Sequence, residues 1–159
     1  VTTLQVGSAL EMQQAVDQLY DESDVVIKAA AVADYRPVRR EQQKIKKNSD
    51  ELSLHLEKNP DLLAELGKRK KKQILVGFAA ETENLLANAA AKMQKKNLDL
   101  IVANDVTAEG AGFGSDTNLV NLLFADGRQE TLPLLTKDEV ASRLLDRVIE
   151  LLNTRKSQI

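Results

Sequence analysis

The stretch QILVGFAAETENLLANAAAKMQKKNLDLIVAND, Gln73–Asp105, decides how the chain folds. It opens and closes on short apolar runs, ILVGFAA and LDLIVAND, whose length suits strands better than helices. Neither run alternates with polar residues, which is the pattern of a strand covered on both faces. Between them, ETENLLANAAAKMQKKN carries Leu86, Ala90 and Met93 at helical spacing, beside a stripe of Leu85, Ala89, Lys92 and Lys96. Its last turns collect lysines, where the helix dipole favours cations. Strand, helix, strand with both strands buried is a βαβ unit, and it points to a parallel α/β sheet.

Working outward, DVVIKAAAVA, Asp24–Ala33, reads as a further buried strand broken only by Lys28. TTLQV, Thr2–Val6, alternates and reads as a short strand. SALEMQQAVDQLY follows as a helix with a capping box of Ser8 and Glu11. ELSLHLEK, Glu51–Lys58, alternates strictly and reads as a half-exposed strand, with His55 on its polar face. Asn59 and Pro60 read as N-cap and first residue of a short helix, PDLLAELG, which Gly67 closes. NLVNLLFADGRQETLPLL reads as a hairpin turning at Asp126-Gly127. TKDEVASRLLDRVIELLN is an amphipathic final helix boxed by Thr136 and Glu139, and the tail NTRKSQI is expected to fray. The expected fold is α/β, Rossmann-like and three-layered. Its sheet is mostly parallel, with an antiparallel C-terminal hairpin and a protruding flap and arm over residues 35–58. The 159 residues make one domain the default expectation, 1–159.

Composition excludes several chemistries. There is no cysteine, so no disulfide framework or thiolate metal site exists. With a single histidine, neither a transition-metal site nor a Ser–His arrangement is expected. Basic and acidic residues nearly balance, 22 against 24, so no nucleic-acid or membrane partner is expected from charge. No apolar run approaches the roughly 20 residues of a membrane span, and the expected location is cytoplasmic.

In open α/β sheets ligands bind beyond the carboxyl ends of the strands. Those ends are AVADY, VGFAAE and VANDV, each joining small residues to a carboxylate, Asp34, Glu81 or Asp105. A rim of acids can hold a ribose hydroxyl or Mg²⁺. The plainer reading is that acids simply end strands at the surface. Lys92 and Lys96, one helical turn apart, suit an anion between them, or are a solvated pair at a helix C-terminus. KIKK carries Lys44, Lys46 and Lys47 in a loop able to close over phosphates, or is a solvated charge run. GAGFG lacks a helix after it, so it does not make a dinucleotide fingerprint. KRKKK, Lys68–Lys72, has no aromatic interleaving and reads as a wet loop between helix and strand.

AAAVADY, KIKK, KNPDLL, VGFAAET, KKNLDLIVAND and GFGSDTN occur in one order at plausible spacings. Together they resemble phosphopantothenate–cysteine ligase, the synthetase half of the bifunctional bacterial coenzyme A biosynthesis protein, over nearly the whole chain. The resemblance implies ligation of cysteine to 4′-phosphopantothenate with CTP and Mg²⁺, through an acyl-cytidylate. It implies CTP contacts at Lys28, Ala29, Ala30, Asp34 and Lys44, then at Pro60, Asp61, Leu62 and Leu63, and at Phe78, Lys92 and Lys96. Lys44 matches the lysine needed for catalysis. Phe78 would pack on the cytosine, and Asp34 is left open between ribose and metal. The alternating strand after the flap matches a dimerisation arm, so a homodimer is expected, and a larger assembly with a decarboxylase half. The family's first βαβ portion, with its Gly/Ser-rich phosphate loop, has no counterpart before Val1. Full ligation is therefore not expected from these residues alone. Two other classes stay open: a different Rossmann-like nucleotide enzyme such as an NAD(P) oxidoreductase, and a non-catalytic nucleotide-binding or dimerisation module.

Overall fold

A computed structural model describes residues 1–39, 43, 45, 52–81, 83–107 and 114–157, with backbone only at Glu81. The chain divides into two compact units, Val1–Asp21 with Ala31–Leu62, and Glu22–Ala30 with Leu63–Ile159.

The second unit holds a five-stranded sheet. Its strands are β1 (Val25–Lys28), β4 (Ile74–Glu81), β5 (Leu100–Asp105), β7 (Val120–Phe124) and β8 (Gln129–Thr131), side by side in that order. β1, β4 and β5 run parallel, while β5 pairs β7 and β7 pairs β8 antiparallel. The sheet is therefore mixed, with equal parallel and antiparallel pairings, where a mostly parallel sheet was expected. The hairpin accounts for the difference, because it brings in two strands.

One sheet face presents Ile74, Val76, Leu100, Val102, Val120, Leu122 and Phe124 to Val140, Leu144 and Val148 of α4 (Lys137–Lys156). On the other face lies α3 (Leu85–Lys95), which buries Ala89 and Met93. Gly77 makes room there, since a Cβ would stand 2.8 Å from Leu98 Cδ1 and 3.0 Å from Leu63 Cδ1. Leu63 belongs to α2 (Leu62–Lys68). Helices thus cover both faces, and each buried Leu, Ile or Val side chain contributes roughly 1.5–3 kcal/mol.

α4 starts with the expected box. Thr136 Oγ1 accepts from the Glu139 N–H at 3.3 Å, and Glu139 Oε2 accepts from the Thr136 N–H at 2.9 Å. Its first turn follows β9 (Leu135–Thr136), which pairs β6 (Thr117–Asn118) antiparallel. The hairpin turns where expected, with Gly127 at φ 91°, a conformation that glycine adopts without strain.

The first unit contains α1 (Ala9–Leu19), capped by Ser8 Oγ accepting from the Glu11 N–H at 3.2 Å. Glu11 reaches back to the Gly7 N–H at 2.7 Å, one residue before the position a capping box uses. A two-stranded antiparallel ribbon, β2 (Tyr35–Pro37) with β3 (Leu56–Lys58), completes the unit.

Several expectations give way. TTLQV forms no strand, because Thr2–Val6 has no ladder partner among the described residues. The strand read over Asp24–Ala33 stops at Lys28 and lies at the sheet end, so Ile27 is exposed and Ala29–Ala33 leave the ladder. Among the described residues of ELSLHLEK the strand register runs from Leu56 to Lys58, with the His55 carbonyl accepting from the Val38 N–H at 3.0 Å. The helix expected over 60–67 runs from Leu62 to Lys68, and Gly67 lies inside it. A Cβ at Gly67 would meet the Lys96 carbonyl oxygen at 2.0 Å, so glycine is there for close approach to the end of α3.

KRKKK is not simply a wet loop. Lys70 is largely withdrawn from water, its side chain 10% exposed, and donates to the Asn97 carbonyl at 2.7 Å and to both Asp99 oxygens at 3.2 Å. The tail does not fray at Asn153 either, for α4 is helical to Lys156. Arg155 holds it by donating to the carbonyls of Lys72 at 2.8 Å and Gln73 at 2.6 Å, and to the Asp99 carboxylate.

Asp99, 8% exposed, also accepts the Leu75 N–H at 2.8 Å. Asp99→Ala would strand Lys70 as a buried cation and leave that N–H unpaired. The expected loss is about 3 kcal/mol, read as a lowered urea midpoint at unchanged slope.

A second electrostatic contact ties β8 to α4. Arg147 Nε donates to Glu130 Oε2 at 2.6 Å, and this hydrogen bond holds the Glu130 carboxyl below its ordinary value of 4.5. A depressed folded value gives stability that is complete above 4.5 and is lost as pH falls through the folded value. Arg147→Met should flatten that acid limb of the stability–pH curve, measured by thermal unfolding between pH 3 and 7.

Candidate nucleotide-binding site

The carboxyl ends of the parallel strands gather small side chains, as the sequence implied. In the second unit, Lys28 pairs in register with Gly77, Ala80 with Asn104, and Glu81 with Asp105. Ala29, Ala30 and Ala80 are exposed, leaving backbone groups open to an approaching ligand. Lys28 leaves β1 at this end, and its Nζ donates to the Ala30 carbonyl at 3.1 Å. The cation is thereby folded over the strand's own exit.

Phe78 is 37% exposed, unusual for an aromatic residue inside a central strand. Its register partner Val102 belongs to the face that packs on α4, and Phe78 shares that face near the strand end. The exposed ring is a ready stacking surface for a flat, apolar ligand face.

Asp105 is occupied locally. Its Oδ1 accepts from the Thr107 N–H at 2.9 Å and the Thr107 hydroxyl at 2.6 Å, closing a turn after β5. The acid expected on the rim is therefore also a turn residue, which favours the plainer reading for Asp105.

Lys92 and Lys96 lie at the last turn of α3, which leads into the amino end of β5. They stand together but away from the strand exits. Lys92 is exposed, Lys96 half-buried, and the Lys96 N–H donates to the Lys92 carbonyl at 3.0 Å. Leu63 is buried under Gly77.

In the first unit, Asn59 organises the neighbourhood of Asp34. The Asn59 N–H donates to the Asp34 carbonyl at 2.8 Å, and Nδ2 donates to the Ala33 carbonyl at 2.8 Å. Its Oδ1 accepts from Arg36 at 3.1 Å, and Arg36 also donates to the Lys58 carbonyl at 2.8 Å and pairs with Glu57 at 2.9 Å. Asn59 is thus a clasp across the base of the ribbon rather than the N-cap expected from Asn-Pro. The clasp fixes exposed Asp34 next to Pro60 and Asp61, with Leu62 buried behind them. Lys44, Lys46, Lys47 and most of GAGFG lie outside the described residues.

Among the described residues no three His, Cys, Asp or Glu side chains form a metal cluster. A protein-built cage is not what Mg²⁺ requires beside a nucleotide. Mg²⁺ keeps several waters and takes one or two carboxylates plus substrate phosphates, a demand that Asp34 alone can fit.

Two features went unread in the sequence. In the sequence Gly77 is one more small strand residue, and only its register shows which helices it admits. Asn104 was read as a strand ending. Its place at alternate spacing after Leu100 and Val102, a polar group on an apolar face, was the available signal.

The family described as DNA/pantothenate metabolism flavoprotein C-terminal domain matches residues 1–152. The coenzyme A biosynthesis bifunctional protein CoaBC of Bacillus subtilis is 50% identical over 146 residues, covering 92% of this chain and 36% of that protein. A cysteine/cysteine sulfinic acid decarboxylase of an unknown prokaryotic organism is 41% identical over 154 residues, covering 96% of this chain and 43% of its own length. The chain spans less than half the length of these curated relatives. A crystal structure of the C-terminal domain of a coenzyme A biosynthesis bifunctional protein CoaBC superposes with a TM-score of 0.79 at 46% identity, covering 97% of this chain and 69% of that one.

Proposed function

The chain belongs to the DNA/pantothenate metabolism flavoprotein C-terminal domain family, and from that membership we propose that it serves the CTP-dependent joining of cysteine to 4′-phosphopantothenate in coenzyme A biosynthesis. The observation that carries the reading is the family match over residues 1–152, nearly the full length described. The geometry supports it, because small residues, an exposed aromatic ring and a lysine meet where parallel strands end.

The chemistry runs in two steps. A carboxylate is a poor electrophile, so its oxygen first attacks the α-phosphate of CTP, forming an acyl–phosphate bond and expelling pyrophosphate. The cysteine amine then attacks the acyl carbon, the amide forms and CMP leaves. Bringing a carboxylate to a triphosphate sets negative charges against one another, and cations must offset them. Lys28 is the described lysine best placed at a strand exit. Lys44, by family likeness, is the catalytic lysine, and the same likeness assigns Lys92 and Lys96 to the nucleotide although they stand at the far turn of α3, away from the strand exits. By family likeness the second unit would contribute the backbone of Ala29 and Ala30, Leu63 and Phe78, the ring for the cytosine, and the first unit would contribute Pro60, Asp61, Leu62 and Asp34, the last for the ribose or a hydrated Mg²⁺. Mg²⁺, when bound with the triphosphate, supplies charge neutralisation. Among the described residues no helix is long and apolar enough to cross a membrane.

The ribbon carries the partner reading. Leu52, Leu54 and Leu56 alternate in sequence toward β3 and are 65%, 62% and 54% exposed, with Tyr35 and Val38 each 52% exposed in the same unit. An apolar row this open suits burial against a second copy of the chain.

Thermal unfolding with Mg²⁺ and CTP, ATP or NAD⁺ tests the nucleotide. CTP at about 100 times its Kd should stabilise the fold by roughly 2.7 kcal/mol. Stabilisation by NAD⁺ instead would move the chain to the oxidoreductase reading. Lys44→Gln should abolish acyl-cytidylate formation wherever that step is measurable. Leu54→Lys should convert a dimer to monomers in sedimentation equilibrium, while an unchanged mass would remove the ribbon from the interface.

A further inference from the structure

Asn104 stands out at the carboxyl end of β5. Leu100, Val102 and Asn104 occupy alternate positions and share the face that packs on α4. The first two are fully buried among apolar residues. Asn104 is half-buried, between Ala80 of β4 and Val120 of β7 in register. Its Oδ1 is shielded from solvent and has no hydrogen-bond partner among the described residues.

Such an atom is costly. A buried amide oxygen left without a donor costs about 1–3 kcal/mol. Leucine would fill nearly the same volume and extend the apolar row without that cost. Buried polar groups without a partner are few in folded proteins, and a ligand is one source of the missing donor. The surroundings favour a ligand here. Ala80 beside it is exposed and offers only a methyl group, and Phe78 one row below is the exposed ring already described. Asp105 next in the chain turns its carboxylate to Thr107 instead. The terminal amide torsion is broad and two-fold, so the carboxamide can turn its oxygen toward a group lodged over Ala80.

We infer that Asn104 is a ligand-binding residue, its carboxamide oxygen accepting a hydrogen bond from an O–H or N–H group of a substrate lying over the ends of β4 and β5. The inference rests on the ligase reading, which supplies two candidate sources. CTP carries ribose hydroxyls and a base amine, and 4′-phosphopantothenate carries a hydroxyl and amide N–H groups.

The test uses the whole chain with Asn104→Leu, and Asn104→Ala as the second variant should leucine not fold. Urea unfolding without ligand is measured beside titrations with CTP–Mg²⁺ and with 4′-phosphopantothenate. The leucine variant is expected to match or exceed the parent in unliganded stability while losing about tenfold in affinity for one ligand, the worth of one hydrogen bond. A loss confined to CTP puts the donor on the nucleotide, and a loss confined to phosphopantothenate puts it on the acid. Unchanged affinity for both ligands, with lower unliganded stability, overturns the inference and makes the oxygen part of the protein's own network. A parent chain that binds neither ligand removes the ligase reading and this inference together. Normal binding by the parent and both variants removes this inference alone.

Discussion

One carboxylate holds the sheet's lower edge. Asp99 sits just before β5, nearly out of water, and gathers a main-chain N–H from β4, the buried ammonium of Lys70 and the guanidinium of Arg155. A buried charge is tolerated only when its partners and hydrogen bonds are complete. Completing them fixes three things together: the stagger of β4 against β5, the path from α2 into β4, and the last turn of α4. The register places Gly77 under Leu63 and Leu98. It also aligns Ala80 with Asn104 at the opposite end of the same strands.

The sheet's two ends are therefore built differently. At the amino ends Lys70 and Arg155 are folded inward onto Asp99 and neighbouring carbonyls. At the carboxyl ends alanines stand beside the strand-ending Lys28 and Asp105, a ring is left partly bare, and the Asn104 amide oxygen is shut away with no donor among the described residues. A fold held firmly at one edge can leave the other edge open, because its stagger no longer depends on contacts made there. Ligand sites on α/β sheets sit at such ends for topological reasons. In this chain, side-chain chemistry reinforces the topology.

How much of this was legible from residues follows from the range of the interactions. The βαβ core was readable because its signals are local: short apolar runs, a helical stripe, lysines at a helix end. The Thr136 box and the Asp126-Gly127 turn were readable for the same reason. TTLQV and the last five residues of the Asp24–Ala33 run have strand-like sequences, yet a strand exists only when a neighbour offers its ladder. Lys70 and Arg155 misled because each stands in a stretch that looks solvated, and the charge drawing them inward is Asp99, which lies 29 and 56 residues away along the chain. The ordered motifs brought the family within reach of the sequence. The placement of Lys92 and Lys96 at the far turn of α3, and the use of Asp105 by Thr107, became visible only in the folded chain.

The strap from Arg155 to Asp99 also bears on how the protein is made. A ribosome delivers the chain from its N-terminus at about 5–20 residues per second, and domains fold largely in that order. The strands β4 and β5 leave the tunnel before α4, so their pairing can begin while α4 is still unsynthesised. Until Arg155 emerges, Asp99 lacks one of its two cationic partners and one sheet face has no cover. The nascent sheet thus passes through an interval with a half-neutralised carboxylate and bare apolar rows. Closure waits on a side chain translated 50 residues after the end of β5.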